Sequence, residues 1–334
     1  MNNATATYNA LQTTEVRDGL FDTAIKTLAV DDLPQHALLV AVHYSSLNYK
    51  DALSLSGHRG VTRHYPHTAG IDAGGVVVAS EDDRFTPGDP VIVTGYDLGM
   101  NTPGGYGEYI RIPASWAVAL PDGLSLKQAM MLGTAGLTAA LCVDKLQRMG
   151  LPSGGDVLVT GASGGVGSVA VALLAHLGCP VVASSGKTDQ ASYLRELGAK
   201  TILDRETLTD PSQKALLKER WQGAVDTVGG DTLVNVLKSL SHSASVACCG
   251  LVASANLHAS LMPFILRGIN LLGVDSVELP VEHKAAIWRR FANDWAGLPF
   301  DRICKEIPLS EVPTYAERIL AGKMIGRALV RVRD

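Results

Sequence analysis

The stretch Asp156-Val-Leu-Val-Thr-Gly161-Ala-Ser-Gly164-Gly165-Val-Gly167-Ser-Val-Ala170 constrains the fold more than any other part of the chain. Val157 to Thr160 reads as a buried strand, four glycines follow in seven positions, and Val166 to Leu177 is apolar enough to pack as a helix on a sheet. Strand, glycine turn and helix in that order open a dinucleotide-binding unit. The turn needs glycine for tight backbone angles, for close approach of a pyrophosphate and for close helix-strand packing. The phosphates then meet free N–H groups at the helix N-terminus, where the dipole favours negative charge. Ser163, Gly164, Gly165 and Val166 are therefore the phosphate-binding candidates. The spacing is Gly161-x-x-Gly164-x-x-Gly167 rather than G-x-G-x-x-G, and glycines alone equally describe a tight turn without a ligand; the flanking strand and helix favour a nucleotide.

The rest of the chain divides around this turn. Residues 1–125 are rich in glycine, proline and short β-branched runs, with strands expected at Leu38–Val42, Gly75–Val78 and Val91–Thr94 and a turn at Pro87-Gly-Asp-Pro90. This spacing predicts a compact β-rich barrel. Residues 126–300 alternate. Strands are expected at Val157–Thr160, Pro180–Ala183, Thr201–Leu203, Ala224–Thr227, Ala244–Cys248 and Ile269–Val274. Helices are expected near 167–177, 188–197, 211–220 and 230–240, with others at Ala129–Met149 (interrupted at Gly133 to Gly136) and Glu282–Trp295. Such alternation is the signature of an α/β, doubly wound parallel sheet of Rossmann type. The tail adds a helix at Thr314–Ala321 and a strand at Ala328–Val332.

At 334 residues two domains fit better than one core. Apolar residues at 46% and charged residues at 19% describe an ordinary globular protein, and a net charge of −4 argues against nucleic acid as a partner. Five cysteines without a C-x-x-C pair form neither a zinc knuckle nor a disulfide framework, and fit a reducing compartment. The start, MNNATATYNA, lacks the basic and apolar regions of a signal peptide, and no run reaches about 18 uninterrupted apolar residues. No membrane partner and a cytoplasmic location are expected.

The end of the second strand decides the nucleotide. An NAD-preferring fold places Asp or Glu about 20 residues after the glycine turn, on the ribose 2′-hydroxyl. Here Ser184, Ser185 and Gly186 occupy that region and Lys187 follows, so no carboxylate repels a 2′-phosphate. Arg205, after the third strand, can flank the same pocket, and NADP (NADPH) is the expected cofactor. Later strand ends, Asp226-Thr-Val-Gly229 and Cys249-Gly250-Leu251, should line the crevice, with Gly250 letting the backbone approach the nicotinamide. In Asn48-Tyr49-Lys50-Asp51, an N-cap at Asn48 with Asp51 three residues on explains both polar residues as a helix start. Capping does not call for the phenol of Tyr49.

GASGGVG after an apolar strand resembles the medium-chain dehydrogenase/reductase superfamily, in its zinc-free quinone oxidoreductase branch. Ser45-Ser-Leu-Asn-Tyr-Lys-Asp51, Gly70-Ile-Asp72, Gly133-Thr-Ala-Gly136 and Met262-Pro-Phe-Ile-Leu-Arg267 are similar to the bacterial NADPH-dependent acrylyl-CoA reductases. The resemblance implies a GroES-like domain at 1–125, completed by residues 301–334, beside the Rossmann domain at 126–300. It places Tyr49, Leu251, Ile265 and Ser276 at the cofactor, and makes Tyr49, Asn48 and Asp51 the catalytic candidates. Leu251 and Ile265 read equally well as core. Zinc-dependent relatives carry Cys near the place of Asn48 and Gly-His-Glu near Gly70. This chain has Asn48 and Gly70-Ile-Asp72, and its His58, His64 and His67 lack Cys or Glu at ligand spacing, so no metal site is expected. Ala69 stands where relatives usually have proline, which removes a stiff turn residue.

The activity this implies is zinc-independent, NADPH-dependent reduction of an activated C=C bond, with acrylyl-CoA as the substrate and hydride delivered to the β-carbon. Quinone reduction and NADPH binding without turnover are the alternatives, because binding and catalysis use different residues. Arg59, Arg63 and Arg267 are cations available to a phosphorylated handle. A homodimer is expected.

Overall fold

The computed structural model describes residues 6–151, 154–187, 190–212 and 214–333. The chain begins with a hairpin, β1 (Thr7–Arg17) and β2 (Leu20–Ala29), followed by β3 (Leu38–Leu47) and the short helix α1 (Tyr49–Leu55). Strands β4 (His67–Thr68), β5 (Asp72–Ser80), β6 (Pro90–Thr94), β7 (Tyr109–Ile112) and β8 (Ala117–Ala119) come next, then α2 (Leu126–Arg148). Alternation starts with β9 (Val157–Val159), α3 (Gly165–His176), β10 (Val181–Ser185), α4 (Ala191–Glu196) and β11 (Thr201–Asp204). It continues with β12 (Trp221–Asp226), α5 (Gly230–Ser239), β13 (Leu240–Cys248), α6 (Met262–Arg267) and β14 (Asn270–Gly273). The chain closes with α7 (Val281–Ala292), α8 (Phe300–Ile303), β15 (Cys304–Pro308), α9 (Val312–Leu320) and β16 (Arg327–Arg331).

Two compact units result. The first comprises Met1–Thr134, Val277–Ala296 and Cys304–Asp334, and the second Ala135–Ser276 and Gly297–Ile303. In the first unit a seven-stranded sheet runs β15-β16-β3-β5-β6-β8, with β7 also on β3, and β2-β1-β4 form a smaller sheet. Alternate residues of β3, Leu38, Val40 and Val42, face a core with Val91 and Val93 of β6, Ile110 and Ile112 of β7 and Val330 of β16, all without exposed surface. The C-terminal strand β16 pairs antiparallel with the end of β3, Ala328 opposite Leu47 and Val330 opposite Ser45, so this β-rich unit is discontinuous in sequence.

The second unit holds six parallel strands in the order β11-β10-β9-β12-β13-β14. The order reverses at β9, the strand that feeds the glycine turn, which is the topological switch point where doubly wound sheets bind ligands. Its central strands are buried on both faces, which is why they read as continuous apolar runs.

Several sequence expectations shift. The domain boundaries at 125/126 and 300/301 move, because residues 126–134 and 277–296 pack with the first unit. The buried ammonium of Lys284 explains the second segment: it donates to Thr94 O (2.6 Å) and Val277 O (2.8 Å), and lies 3.4 Å from the Tyr96 ring centroid. The helix expected at 211–220 does not form among its described residues. Leu217 N and Arg220 N instead donate to Lys238 O and Ser239 O, and Arg267 Nη2 donates to Leu217 O, so tertiary bonds take the place of helical ones there. The hairpin β1–β2 and helix α6 carry no strong local signal and were not expected. Among the described residues α2 is the one helix long and apolar enough to cross a membrane, and 78% of its apolar window is buried inside the protein, as in a core helix.

Candidate functional site

In the second unit the glycine turn leads straight into α3, whose N-cap is Gly164, a residue with no side chain to satisfy the first N–H groups. The helix start is thus an uncapped, positively polarised end of twelve residues, suited to phosphate. Gly167 has no room for a side chain: a Cβ there would collide with Gly161 O and lie 2.8 Å from Ala162 Cα. Ser163 and Ser185 are both buried and share a 2.9 Å hydrogen bond, which ties the turn to the end of β10. Ser185 Oγ also accepts from Lys187 N (3.1 Å). A Cβ on Gly186 would sit 2.8 Å from Arg205 Nε, so the guanidinium packs directly over the exposed Gly186. Arg205 pairs with Glu206 at 3.4 Å, but both side chains are largely exposed, so the pair constrains the cation little. Ser185, Gly186 and Arg205 are thus brought together, with the backbone of Lys187 on Ser185, and no carboxylate stands at the end of β10 itself.

The neighbouring strand ends are fixed by Asp226, which is fully buried and accepts from Thr160 Oγ1 (2.7 Å) and Gly229 N (2.8 Å). Burial raises its carboxyl above the usual range, against the pull of those hydrogen bonds. Gly250 is explained differently than expected. The space of its missing Cβ is filled by the backbone of Thr227, so close packing of two strand ends by itself demands glycine there. Leu251 (67% exposed) and Ile265 (72%) are not core residues, which removes the packing alternative for both. Ser276 is buried, with its hydroxyl on Thr138 Oγ1 at 2.7 Å.

The first unit assembles the motifs that the sequence left separate. Asp72, at the start of β5, has no exposed surface. Its Oδ2 accepts from Ser46 Oγ, Asn48 Nδ2 (2.8 Å) and Thr134 N (2.9 Å), and its Oδ1 from Thr134 Oγ1 (2.5 Å). Gly133 makes this possible. Its backbone at φ 52°, ψ −155° breaks α2, and a Cβ there would fall 2.5 Å from Asp72 Oδ2 and 2.8 Å from Arg327 Nη2. Asp51 is also buried: Oδ1 accepts from Ile71 N (2.8 Å), and Oδ2 from Asn48 N (2.8 Å) and Asn48 Nδ2 (3.1 Å). Burial first, and the charge of Asp72 second, push its carboxyl up to about 7, against the pull of these hydrogen bonds. Burial likewise lifts the phenol of Tyr106 well above its usual range, with Asp51 adding to the effect.

A cation joins this network. Arg327, 3% exposed on β16, donates from Nη1 to Leu47 O (3.2 Å) and Asn48 Oδ1 (3.1 Å), from Nη2 to Ser46 Oγ (2.9 Å), and from Nε to Met131 O (3.4 Å). Sequence reasoning missed it because its partners lie up to 281 residues away. Asn48 and Asp51, the other catalytic candidates, are both buried with their polar atoms engaged, and these bonds hold the start of α1. Tyr49, 49% exposed at the first position of α1, is the member of the motif that faces outward. The absent proline before Gly70 is offset by backbone bonds: Tyr106 N donates to Ala69 O (3.1 Å) and Gly105 N to Gly70 O (2.8 Å).

A zinc ion does not fit these residues. Asn48 turns its N–H donor toward Asp72, and the guanidinium of Arg327 already neutralises the surroundings. Among the described residues no group of three or more His, Cys, Asp or Glu is placed to hold a metal. Arg59 and Arg267, offered as free cations, are engaged. Arg59 pairs with Glu15, and Arg267 holds Lys238 O, Leu240 O and Leu217 O.

Comparison with known proteins agrees with this geometry. Residues 34–122 match the alcohol dehydrogenase GroES-like domain, and residues 165–292 match the zinc-binding dehydrogenase family. The chain is 44% identical to the putative quinone oxidoreductase YhfP of Bacillus subtilis over 97% of its length and 99% of that protein. It is 45% identical to the probable acrylyl-CoA reductase AcuI of Escherichia coli K12 over 95% of its length and 98% of that protein. The yhdH oxidoreductase of Salmonella enterica, solved in complex with NADP, superposes with a TM-score of 0.94 at 44% identity, over 97% of this chain and 100% of that one. The Bacillus yhfP structure, solved with NAD bound, gives 0.93 at 44% identity, over 98% and 99%. A β-rich unit closed by the C-terminal strand, a six-stranded sheet switching at its glycine turn and near-full-length identity all agree: the chain belongs to the medium-chain dehydrogenase/reductase superfamily, among the relatives of AcuI and YhfP.

Proposed function

We propose that this chain catalyses zinc-independent, NADPH-dependent reduction of an activated C=C bond, with acrylyl-CoA as its substrate and propionyl-CoA as product. The observation that carries the cofactor is the end of β10, where Ser185, Gly186, Lys187 and Arg205 gather without a carboxylate beside the uncapped start of α3. NADPH supplies a hydride when bound. Ser163, Gly164, Gly165 and Val166 would hold its pyrophosphate, Lys187 and Arg205 its 2′-phosphate, and Tyr49, Leu251, Ile265 and Ser276 would face it. Hydride adds to a carbon-carbon double bond only where the resulting charge is held as an enolate, which a thioester carbonyl allows. The name of the AcuI relative supports the thioester, and that of YhfP supports quinone reduction as the second reading.

The remaining partners follow the same reading: a small-molecule substrate, no nucleic acid and a homodimer, in which the exposed side chains of Val252 and Leu261 in the second unit would find cover. A cytoplasmic location suits five free cysteines. The test is a panel of enoyl-CoAs and quinones with NADPH and NADH. Saturable NADPH oxidation with higher kcat/KM for acrylyl-CoA than for simple quinones is expected, unchanged by chelators. Tyr49→Phe should lower turnover or NADPH affinity while leaving the fold intact. Quinones outrunning acrylyl-CoA would transfer the assignment to the second reading, and no turnover at all would leave a binding protein.

A further inference from the structure

The loop that follows α1 carries His58, Arg59, Arg63 and His64 in seven residues, all exposed, with no carboxylate among them. Its conformation is built rather than loose. The Arg59 guanidinium pairs with Glu15, lies 5.7 Å from the Phe21 ring centroid and 5.1 Å from that of Tyr65, and donates to Arg63 O (2.8 Å). Tyr65 OH donates to Ser54 O (2.6 Å), which pins the loop to α1. Arg59 is thus spent on shaping the loop, and the charge it fixes in place is that of Arg63.

A second loop joins Arg63 to the outward face of α1. Arg63 N donates to Asn101 Oδ1 (3.3 Å), and Lys50 Nζ lies 3.8 Å from Met100 Sδ. Met100 and Asn101 are consecutive, about 3.8 Å apart at Cα, so Lys50 and Arg63 both pack on one short loop. Lys50 directly follows Tyr49. The carboxylates in reach are committed: Glu15 to Arg59, and Asp97 to Asn101 Nδ2 (2.8 Å) and Thr102 Oγ1 (2.9 Å). Among the described residues, no carboxylate pairs with Arg63 or Lys50. Two cations, Lys50 one residue from Tyr49 and Arg63 beyond it, are therefore followed by the exposed imidazole of His64, in a protein whose net charge is negative.

We propose that Lys50, Arg63 and His64 form a docking strip for the phosphates of a nucleotide-bearing thioester, the handle of coenzyme A. The inference rests on the thioester reading above and names the part of the first unit that receives the handle. A compact ammonium and a planar guanidinium are the two side chains suited to phosphate oxygens, the guanidinium in bidentate fashion. A quinone has no phosphate and would gain nothing from such a strip.

The test measures binding and turnover separately. Free coenzyme A is titrated calorimetrically into the native protein and into Lys50→Ala/Arg63→Ala, both saturated with NADP+. The native protein should bind, less tightly as salt rises, and the double variant should bind at least tenfold more weakly, while NADPH titration reports that its nucleotide unit is intact. Arg63→Ala alone, an exposed change, should give a loss of at least threefold if the double variant does not fold. Equal affinity for coenzyme A in native and variant protein overturns the proposal. So does failure of the native protein to bind it, or displacement of coenzyme A by an equimolar amount of inorganic phosphate. In turnover, the ratio of kcat/KM for acrylyl-CoA to that for acrylyl-pantetheine should fall at least tenfold in the double variant. Native protein that binds coenzyme A through the strip yet leaves acrylyl-CoA unreduced would sink the reaction assignment and leave the strip standing.

Discussion

Replacing Arg327 by methionine tests the buried network most directly. The side chains have similar length, so packing changes little, but this network loses the arginine charge and four donor contacts at once. Leu47 O, Met131 O and Asn48 Oδ1 lose a partner, at about 1–3 kcal/mol for each buried acceptor left unmade. Ser46 and Asn48 keep their bonds to Asp72, which limits the damage. Removing one side of a buried charge arrangement costs about 3–5 kcal/mol. Since the two costs overlap, a loss of about 3–5 kcal/mol in total is expected. Arg327→Lys keeps the charge but cannot span acceptors on β3, α1 and α2 with one ammonium, so about half that loss should remain. Equilibrium urea unfolding of the three proteins gives the numbers. A methionine variant within about 1 kcal/mol of the native protein, or a lysine variant as damaged as the methionine one, would refute the account of Arg327 as an obligate counter-charge.

Gly133→Ala should be more disruptive than any surface change, by about 3 kcal/mol or more, because strained φ adds to collisions with Asp72 and Arg327; a soluble variant with native thermal stability would contradict this. Lys187→Ala and Arg205→Ala should each weaken NADPH by about 1–3 kcal/mol with little change for NADH, as fluorescence titration would report; parallel losses for both cofactors would rule out a 2′-phosphate role. Asp51 sets a pH dependence. Its folded value of about 7 lies above an unfolded value near ~3.9, so the native state binds more protons between them. The associated stability is fully present below about pH 4 and is lost as pH rises through about 7, with a slope of up to about 1.4 kcal/mol per unit. Unfolding free energies from pH 5 to 8 should show this decline, and Asp51→Asn should flatten it; a decline of the same size in the variant would place its origin elsewhere.

The residues that local chemistry dictates were legible in the chain itself. Val157-Leu-Val-Thr160 followed by Gly161, Gly164, Gly165 and Gly167 can hardly be anything but a strand turning into a helix. The absence of a carboxylate after β10 is likewise visible without coordinates, because both depend on neighbours a few residues away. Asn48 and Asp51 announced a helix start for the same reason, and the structure assigns them that role with a reach beyond it. Tertiary structure alone decided the rest. The segment around Leu217 to Arg220 has a helical composition but forms no helix, because backbone partners at Lys238 and Ser239 outweigh propensity. Gly250 looked like a cofactor residue and is a packing requirement, since nothing in its neighbours reveals the carbonyl of Thr227 beside it. The pairing of Asp72 with Thr134 needs the break in α2 at Gly133, and the bonds of Arg327 to Ser46 and Asn48 form only when β16 closes against β3. Burial cannot be read locally, and it is burial that turns a common arginine near the C-terminus into the counter-charge of this interior.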